Sequence, residues 1–241
     1  MDFIVMTVRG RKDLTFKCLE TLSDTLGAEE IVTALYLVDA SEPDLLVETY
    51  EIFGKYLNVP IVLVPRPGYG ISKGWNTGID RVRDLNPVPD QTNIWLLNND
   101  VVFTKSYWLS ELRDRLNVPG TGLVGSSAMS VFGLSFATGG IWGFKLSVGL
   151  EVAEDGKILD EELNYCCQDV DLSVRIAKAG YVVTHVPDVE LGSNPKMQHL
   201  VSQTVYSNEG EQAVLEKRRP EFRRLINKHG RKDGKDEYEG V

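Results

Sequence analysis

The stretch IWLLNNDVV (94–102) delivers three polar residues, Asn98 to Asp100, directly after an apolar run. In an open α/β sheet, ligands bind beyond the carboxyl ends of the strands, where loops and helix N-termini converge. Asp100 offers hard oxygen ligands suited to Mg²⁺ or Mn²⁺, and the Asn98 amide can hydrogen-bond a hydroxyl without adding negative charge. The alternative is an Asx turn that only closes the strand.

The elements before residue 120 alternate short β-rich runs with helical segments, which predicts a parallel sheet with right-handed crossovers. We expect strands at 3–8, 34–38, 60–64 and 94–97, separated by helices that include an acidic one at about 43–56. Asp13 is a candidate N-cap of the first helix. After Gly120, Gly-rich strand-like segments at 123–128 and 136–144 predict a mixed sheet.

The segment 166–172 is predicted to open a helix that ends at Gly180, with Val170, Val174 and Ala177 along one face. Asp169 and Asp171 fall in its first turn, where the helix dipole favours ionised carboxylates. We expect Asp171 to cap this helix. A strand at 181–186 follows, then a turn-rich stretch to His199 and a polar helix from about residue 209.

Four polar residues are thus expected at the crevice, namely Asp39, Asp100, Asp169 and His199. A carboxylate and an imidazole from distant segments could hold a divalent cation against a diphosphate, and a separate carboxylate could act as a general base.

Composition limits the other possibilities. The 241 residues, 42% of them hydrophobic, can bury a full core, and the net charge of −9 argues against broad nucleic-acid binding. The start shows no signal peptide and no apolar run is long enough for a bilayer span, so a cytoplasmic protein is expected.

Cys18, Cys166 and Cys167 lack metal-site spacing and are predicted to be reduced and packed. A C-terminal cluster of basic residues suits a solvated helix, a membrane surface or an anionic acceptor: Arg218, Arg219, Arg223, Arg224, Lys228, Arg231 and Lys232.

The order of the motifs resembles that of inverting nucleotide-sugar glycosyltransferases of family 2, with a rhamnosyltransferase-like subgroup as the nearest pattern. The resemblance covers residues 3 to 203. It rests on six segments: FIVMTVRGRKDLTFKCLETL (3–22), LYLVDASEPD (35–44), GYGISKGWNTGID (68–80), IWLLNNDVV (94–102), GKILDEELNYCCQDVDLSVRIAKAGY (156–181) and MQHLVSQT (197–204).

This resemblance implies an α/β fold of the GT-A type, with a Rossmann-like mixed sheet whose N-terminal half is mostly parallel and which helices flank. It also implies transfer of a sugar from a nucleotide-sugar donor to an acceptor hydroxyl, with Mn²⁺ or Mg²⁺ as cofactor. Asp169 would be the catalytic base, and Asp100 and His199 the metal ligands. The nucleotide-binding residues would be Thr7, Arg9, Asp39, Asn76, Asn98 and Asn99. The residues facing the acceptor or sugar would be Gly139, Gly140, Trp142 and Gln168.

Asp39 favours a base with a ring N–H, uracil first, because a carboxylate only accepts hydrogen bonds. Two residues depart from the family pattern: Asn98 replaces the first acid of the metal motif, and Gln168 replaces a common Glu beside the base. They motivate the alternative of a catalytically weak or inactive module that binds nucleotides or glycans. Trp142 could stack on a sugar or pack in the core. His185 is expected to be a packed or surface residue rather than the ligand.

We expect a glycosyltransferase domain at 1–208, with a nucleotide-binding half at 1–103 and an acceptor-side half at 104–208. A C-terminal helix and a disordered polar tail would occupy 209–241. No glycine fingerprint follows the first strand, which argues against a dinucleotide enzyme. The acceptor stays open among saccharides, lipid-linked sugars, proteins, small metabolites and modified nucleic-acid bases, and the oligomeric state stays open too.

Overall fold

The computed structural model describes residues 1–41, 54, 57–131, 134–190, 195–199 and 211–229. The strands are β1 (Asp2–Val8), β2 (Ala34–Asp39), β3 (Ile61–Pro65), β4 (Asn93–Leu97), β5 (Val101–Phe103), β6 (Thr121–Val131), β7 (Leu134–Lys145), β8 (Val182–His185) and β9 (Met197–His199). The helices are α1 (Lys12–Thr25), α2 (Ile71–Arg83), α3 (Trp108–Leu116), α4 (Leu146–Glu151), α5 (Gln168–Lys178), α6 (Pro187–Glu190) and α7 (Glu211–His229).

Seven strands form one mixed sheet in the order β3-β2-β1-β4-β7-β6-β8. The neighbours among β3, β2, β1 and β4 are parallel, so their carboxyl ends share one edge of the sheet. Strand β7 is antiparallel to both β4 and β6, and β8 pairs parallel with β6. This confirms the predicted α/β mixed sheet with a mostly parallel N-terminal half.

Helices cover both faces of the sheet. Each strand packs against both helical layers because its side chains alternate in direction. In β1, Ile4 and Met6 join a buried cluster that includes α1 and α3 residues, Leu19 and Trp108 among them. The alternate β1 residues, Phe3 and Val5, belong to a second cluster with Trp75 and Ile79 of α2 and with residues of α4 and α5. Both sides of the strand are buried, as in other parallel sheets that are covered on two faces.

A separate two-stranded sheet joins the segment after β4 to the late segment of the chain. Strands β5 and β9 are antiparallel, and Val101 lies opposite His199. This pairing carries the end of the 94–102 stretch to a segment about a hundred residues later in the chain.

The two predicted helix caps are wrong. Helix α1 begins at a left-handed residue, Arg11, with φ of 40°, and α5 begins at Cys167, with φ of 69°; neither helix has a side-chain cap. The Asp13 carboxylate pairs instead with the Arg11 guanidinium, and Asp171 is fully buried in an ion-pair cluster. The predicted face of α5 needs a further correction, because Ala177 is exposed.

Cys18 and Cys167 are buried, Cys166 is half-buried, and the structure records all three as free thiols. His185 is half-buried at the end of β8. Most of the predicted acidic helix at 43–56 and the predicted polar tail at 232–241 lie outside the described residues, and the domain division stays a prediction. Within the described ranges, no helix combines the length and apolar character needed to cross a bilayer.

Candidate functional site

The carboxyl ends of β2 and β1 lie side by side, and two hydrogen bonds through Ser41 link Asp39 to the loop after β1. Asp39 ends β2 and is 0% exposed. Its Oδ1 accepts a hydrogen bond from the Ser41 backbone N–H at 3.0 Å. The Ser41 hydroxyl in turn accepts one from Gly10 N–H, in the loop after β1, at 2.9 Å. Arg9 is exposed in the same loop. The predicted residues Asp39 and Arg9 therefore share one edge of the sheet.

The turn after β4 is bonded to the Gly139–Gly140 pair of β7. The Asn98 backbone N–H donates to the Gly140 carbonyl at 2.9 Å, and the Asn98 Nδ2 donates to the Gly139 carbonyl at 3.3 Å. The structure thus brings three predicted ligand-binding residues, Asn98, Gly139 and Gly140, into direct contact.

Helix α1 supports this turn from the protein interior. Asn99 is 7% exposed, and its Nδ2 donates to the Thr15 hydroxyl at 3.1 Å. The buried Cys18 thiol donates to the Asn98 carbonyl at a distance of 3.7 Å, and burial raises the pKa of that thiol well above its usual range. Asn99 therefore anchors the turn to α1, and its predicted contact with a nucleotide stays a prediction.

Asp100 is 5% exposed at the end of the turn, immediately before β5. The Arg11 guanidinium lies within electrostatic reach of it. The pKa of Arg11 is raised, first by its hydrogen bond to Asp13 and also by the charges of Asp13 and Asp100. Sequence reasoning overlooked Arg11, although its position at the carboxyl end of β1 was a usable signal.

A carboxylate that the sequence did not indicate lies against the Gly139–Gly140 pair. Glu190 Oε2 accepts hydrogen bonds from the Gly140 N–H, at 3.0 Å, and from the Ser126 hydroxyl. Gly139 has φ of +109°, and a Cβ there would lie 2.4 Å from the same carboxylate oxygen. Glycine is therefore required at position 139 on two grounds, backbone conformation and space.

Asp169 lies in the first turn of α5, and its carboxylate is held on both oxygens. The Thr138 hydroxyl donates to Oδ2, and the Val170 backbone N–H donates to Oδ1 at 2.9 Å. Asp169 is half-buried, whereas its neighbours Gln168 and Val170 are buried. Because Thr138 directly precedes Gly139, the candidate base is connected to Asn98 through β7.

His199 lies opposite Val101 in the β5–β9 pairing, so its backbone is next to that of Asp100 in the register. The position of its imidazole lies outside the described part of the structure. Among the side chains that are described, no group of three or more His, Cys, Asp or Glu residues is arranged to hold a metal ion.

Three further predicted ligand-binding side chains are buried within the protein, as Asp39 is. Asn76 is 2% exposed and exchanges two hydrogen bonds with the Leu159 backbone, at 2.9 and 3.0 Å. Trp142 is 2% exposed and packs edge-on against Trp75. Of the two alternatives for this residue, it therefore packs in the core, with no ring face open to a sugar. Gln168 is 6% exposed and donates to the Leu163 carbonyl at 2.8 Å.

Thr7 occupies the interface between β1 and α2. A Cβ at Gly74 would lie 2.4 Å from the Thr7 hydroxyl, which shows how closely the helix approaches this strand. Thr7 therefore lies beneath the strand ends in the structure, packed against α2. Its predicted contact with a nucleotide stays a prediction.

Comparison with solved structures identifies the architecture. A mannosyltransferase from Pyrobaculum calidifontis, PcManGT, in complex with GDP-Man and Mn²⁺, superposes with a TM-score of 0.63 at 13% identity over 78% of this chain. GalNAc-T7 with UDP, GalNAc and Mn²⁺ gives 0.61 at 12% identity over 83% of this chain, and S. aureus TarS gives 0.57 at 12% identity over 94%. The fold is that of the GT-A glycosyltransferases.

The GT-A likeness covers only part of each of those proteins. This chain spans 55% of the mannosyltransferase, 43% of GalNAc-T7 and 40% of TarS. No protein-family model matches the chain, and no curated protein matches it in sequence. At these identities the comparisons establish the GT-A fold, and the function has to be argued from the site.

Proposed function

We propose that this chain is a metal-dependent inverting glycosyltransferase that moves a sugar from a nucleotide-sugar donor, a UDP-sugar first, to an acceptor hydroxyl. One observation carries the proposal: at the end of β4 the Asn98 side chain bonds Gly139, and Thr138, next to Gly139, bonds Asp169. Asp100 follows Asn98 by two residues, directly before β5. The GT-A neighbours with UDP or GDP-Man and Mn²⁺ support the donor class.

The donor side of the proposal rests on the ends of β2 and β4. A carboxylate at Asp39 accepts a hydrogen bond from a ring N–H, which uracil and guanine present and cytosine lacks. Asn98 would bond a donor hydroxyl without repelling a diphosphate, because its amide carries no charge. Glycine at 139 and 140 lets a ligand approach the backbone closely.

The residues at 100 and 199 fit a divalent cation. A carboxylate and an imidazole are ligands that Mn²⁺ accepts, and the β5–β9 register pairs His199 with Val101, the residue after Asp100. With only two protein ligands, the diphosphate itself would complete the coordination. When bound, the cation would neutralise charge on the departing nucleoside diphosphate.

The acceptor side rests on Asp169. Its carboxylate is oriented by Thr138 and by the Val170 N–H, yet the residue keeps partial exposure, as a group that meets an incoming hydroxyl must. Removal of the acceptor proton by Asp169 would let the oxygen attack the anomeric carbon in one displacement, and one displacement inverts the configuration.

Thermal shift with nucleotides tests the donor and metal assignments. UDP with Mn²⁺ at about 100 times its Kd should stabilise the protein by about 2.7 kcal/mol, which raises the Tm of a domain of this size by roughly 5–10 °C. CDP should give a much smaller shift. In Asp100→Ala the UDP shift should largely disappear, and in Asp90→Ala, an exposed acid in the Pro89–Gln91 turn, it should be retained.

A full UDP shift in Asp100→Ala would contradict the metal assignment. The transferase and the binding-module alternative separate by product analysis: slow release of free nucleoside diphosphate from a nucleotide sugar supports the transferase. Binding without release, with every acceptor class tried, would support the module.

A further inference from the structure

The C-terminal helix inserts a carboxylate into the loop that precedes the candidate base. Glu221 of α7 is 6% exposed. Its Oε1 accepts hydrogen bonds from Asn164 N–H at 2.8 Å and Tyr165 N–H at 2.9 Å, and its Oε2 accepts from Tyr165 N–H at 3.0 Å and Cys166 N–H at 2.8 Å. Three consecutive backbone donors thus surround one negative charge.

Such an arrangement fixes the backbone strongly. Successive N–H groups that converge on an anion form a concave binding site, and hydrogen bonds to a charged acceptor are stronger than neutral ones. The three N–H groups can face one carboxylate only if residues 164–166 keep a particular set of φ and ψ angles. Glu221 therefore determines the conformation of this loop.

The loop leads directly to the start of α5. Cys167, next in the chain, has φ of 69°, and Asp169 follows two residues later. The loop is flanked by Leu163, whose carbonyl accepts hydrogen bonds from the Ser72 hydroxyl and from Gln168 Nε2. The thiols of Cys166 and Cys167 lie 3.1 Å apart. Glu221 accepts a hydrogen bond from each of the three backbone N–H groups of 164–166.

Helix α7 is itself held in place by residues in the two turns after Glu221. Leu225 is 3% exposed and joins Val170 and Val174 of α5 in one apolar cluster. Arg224 pairs with Asp160 at 2.9 Å, and Lys228 with Asp171 at 2.9 Å. The carboxylate therefore acts from a fixed position rather than from a mobile tail.

We propose that Glu221 is a positioning residue for the transfer reaction: by ordering the 164–166 loop it sets the orientation of Asp169. This inference rests on the proposed function, because it gives the C-terminal helix a task in that reaction. Glu221 lies outside the segments that resemble the glycosyltransferase family.

Glu221→Gln tests the inference with little change in size. The amide keeps one acceptor oxygen and presents an NH₂ group to backbone donors, so the loop should loosen. We expect kcat to fall by about tenfold to a hundredfold, because a small misplacement of a reacting group causes a loss of that size. The donor KM and the UDP-induced Tm shift should stay within twofold of wild type. Amide hydrogen exchange at 164–166 should become faster, and Glu221→Asp, whose charge is withdrawn by one methylene, should show the same pattern.

Glu216→Gln is the matched control, because Glu216 is exposed on the same helix. It should leave kcat and the exchange rates unchanged. Faster exchange at 164–166 in Glu221→Gln with kcat equal to wild type would overturn the positioning role and leave a structural contact. Amide exchange at 164–166 that stays unchanged in Glu221→Gln would show that Glu221 does not order the loop, and would overturn the proposal as well. A wild-type protein that turns over no nucleotide sugar would instead refute the proposed function, which separates the two failures.

Discussion

Asp169→Asn is expected to lower kcat by about 10²–10⁴-fold, the usual contribution of a positioned general base, while donor binding stays unchanged. Asparagine retains the shape of the side chain and an oxygen for the Val170 N–H, and its amide group can donate to the Thr138 hydroxyl. The variant should therefore fold normally and lack only a group that can take up the acceptor proton. Steady-state kinetics of nucleoside diphosphate release, together with the UDP-induced Tm shift, measures both effects.

The control for this prediction is Asp155→Asn, since Asp155 is an exposed acid between α4 and α5. Its kcat should match wild type. If Asp169→Asn keeps a kcat within threefold of wild type while the donor is still turned over, another group removes the proton. Glu190, which lies against Gly140, would then be the first carboxylate to examine.

The edge of the sheet that carries the site follows from sequence patterns of short range. The alternation of strands and helices places Asp39 and Asp100 after parallel strands, and parallel strands end on one side of a sheet. The buried stripe of α3, with Trp108 and Leu112, follows in the same way from the helical spacing of apolar residues. These inferences need only the residues within one element and the rule for its connection.

The contacts that position the site could not be predicted in this way, because their partners are far apart in the chain. Thr138 and Asp169 are separated by 31 residues, Ser126 and Glu190 by 64, and Asn164 and Glu221 by 57. Nothing in the local pattern around Glu221 distinguishes it from the exposed Glu216 of the same helix. Such pairs depend on the packing of whole elements.

Sequence patterns also do not reveal the partners of individual polar side chains. The resemblance to the glycosyltransferase family implies a nucleotide contact for Asn76, and in the structure its amide is bonded to the backbone of Leu159. The same holds for the helix starts at Arg11 and Cys167, where a left-handed backbone replaces the expected side-chain cap. A buried polar group requires a partner, and the sequence does not reveal whether that partner is a ligand or the protein itself.

Asp171→Asn is expected to destabilise the protein by about 3–5 kcal/mol, because it removes one member of a buried ion pair and leaves the partner charge uncompensated. Asp171 is 0% exposed. Its Oδ2 accepts two hydrogen bonds from Arg175, which is 7% exposed, and its Oδ1 contacts Lys228 at 2.9 Å and His229 at 2.7 Å. Urea unfolding of both proteins at neutral pH measures the difference.

Asp13→Asn is the matched control, since it breaks an ion pair with Arg11 in which the Asp13 side chain is 64% exposed. A pair of that kind contributes about 0–1 kcal/mol, so the control should unfold close to the wild-type midpoint. An Asp171→Asn variant that unfolds at the same urea concentration as the control would contradict the role of the cluster in joining α5 to α7.

The acid dependence of stability gives a second measurement of the same cluster. Burial by itself raises the pKa of the Asp171 carboxyl, but the hydrogen bond with His229, the charge of Arg175 and the hydrogen bonds from Lys228 and Arg175 together hold that pKa well below its usual range. The unfolded chain, with an Asp pKa of about 3.9, then binds more protons than the folded protein below that pH. The contribution of Asp171 is therefore fully present above about pH 4 and is lost as the pH falls toward the depressed folded value. The difference in unfolding free energy between wild type and Asp171→Asn should shrink over that acidic range, and a difference that stays constant down to pH 2 would mean that the cluster does not stabilise the ionised carboxylate.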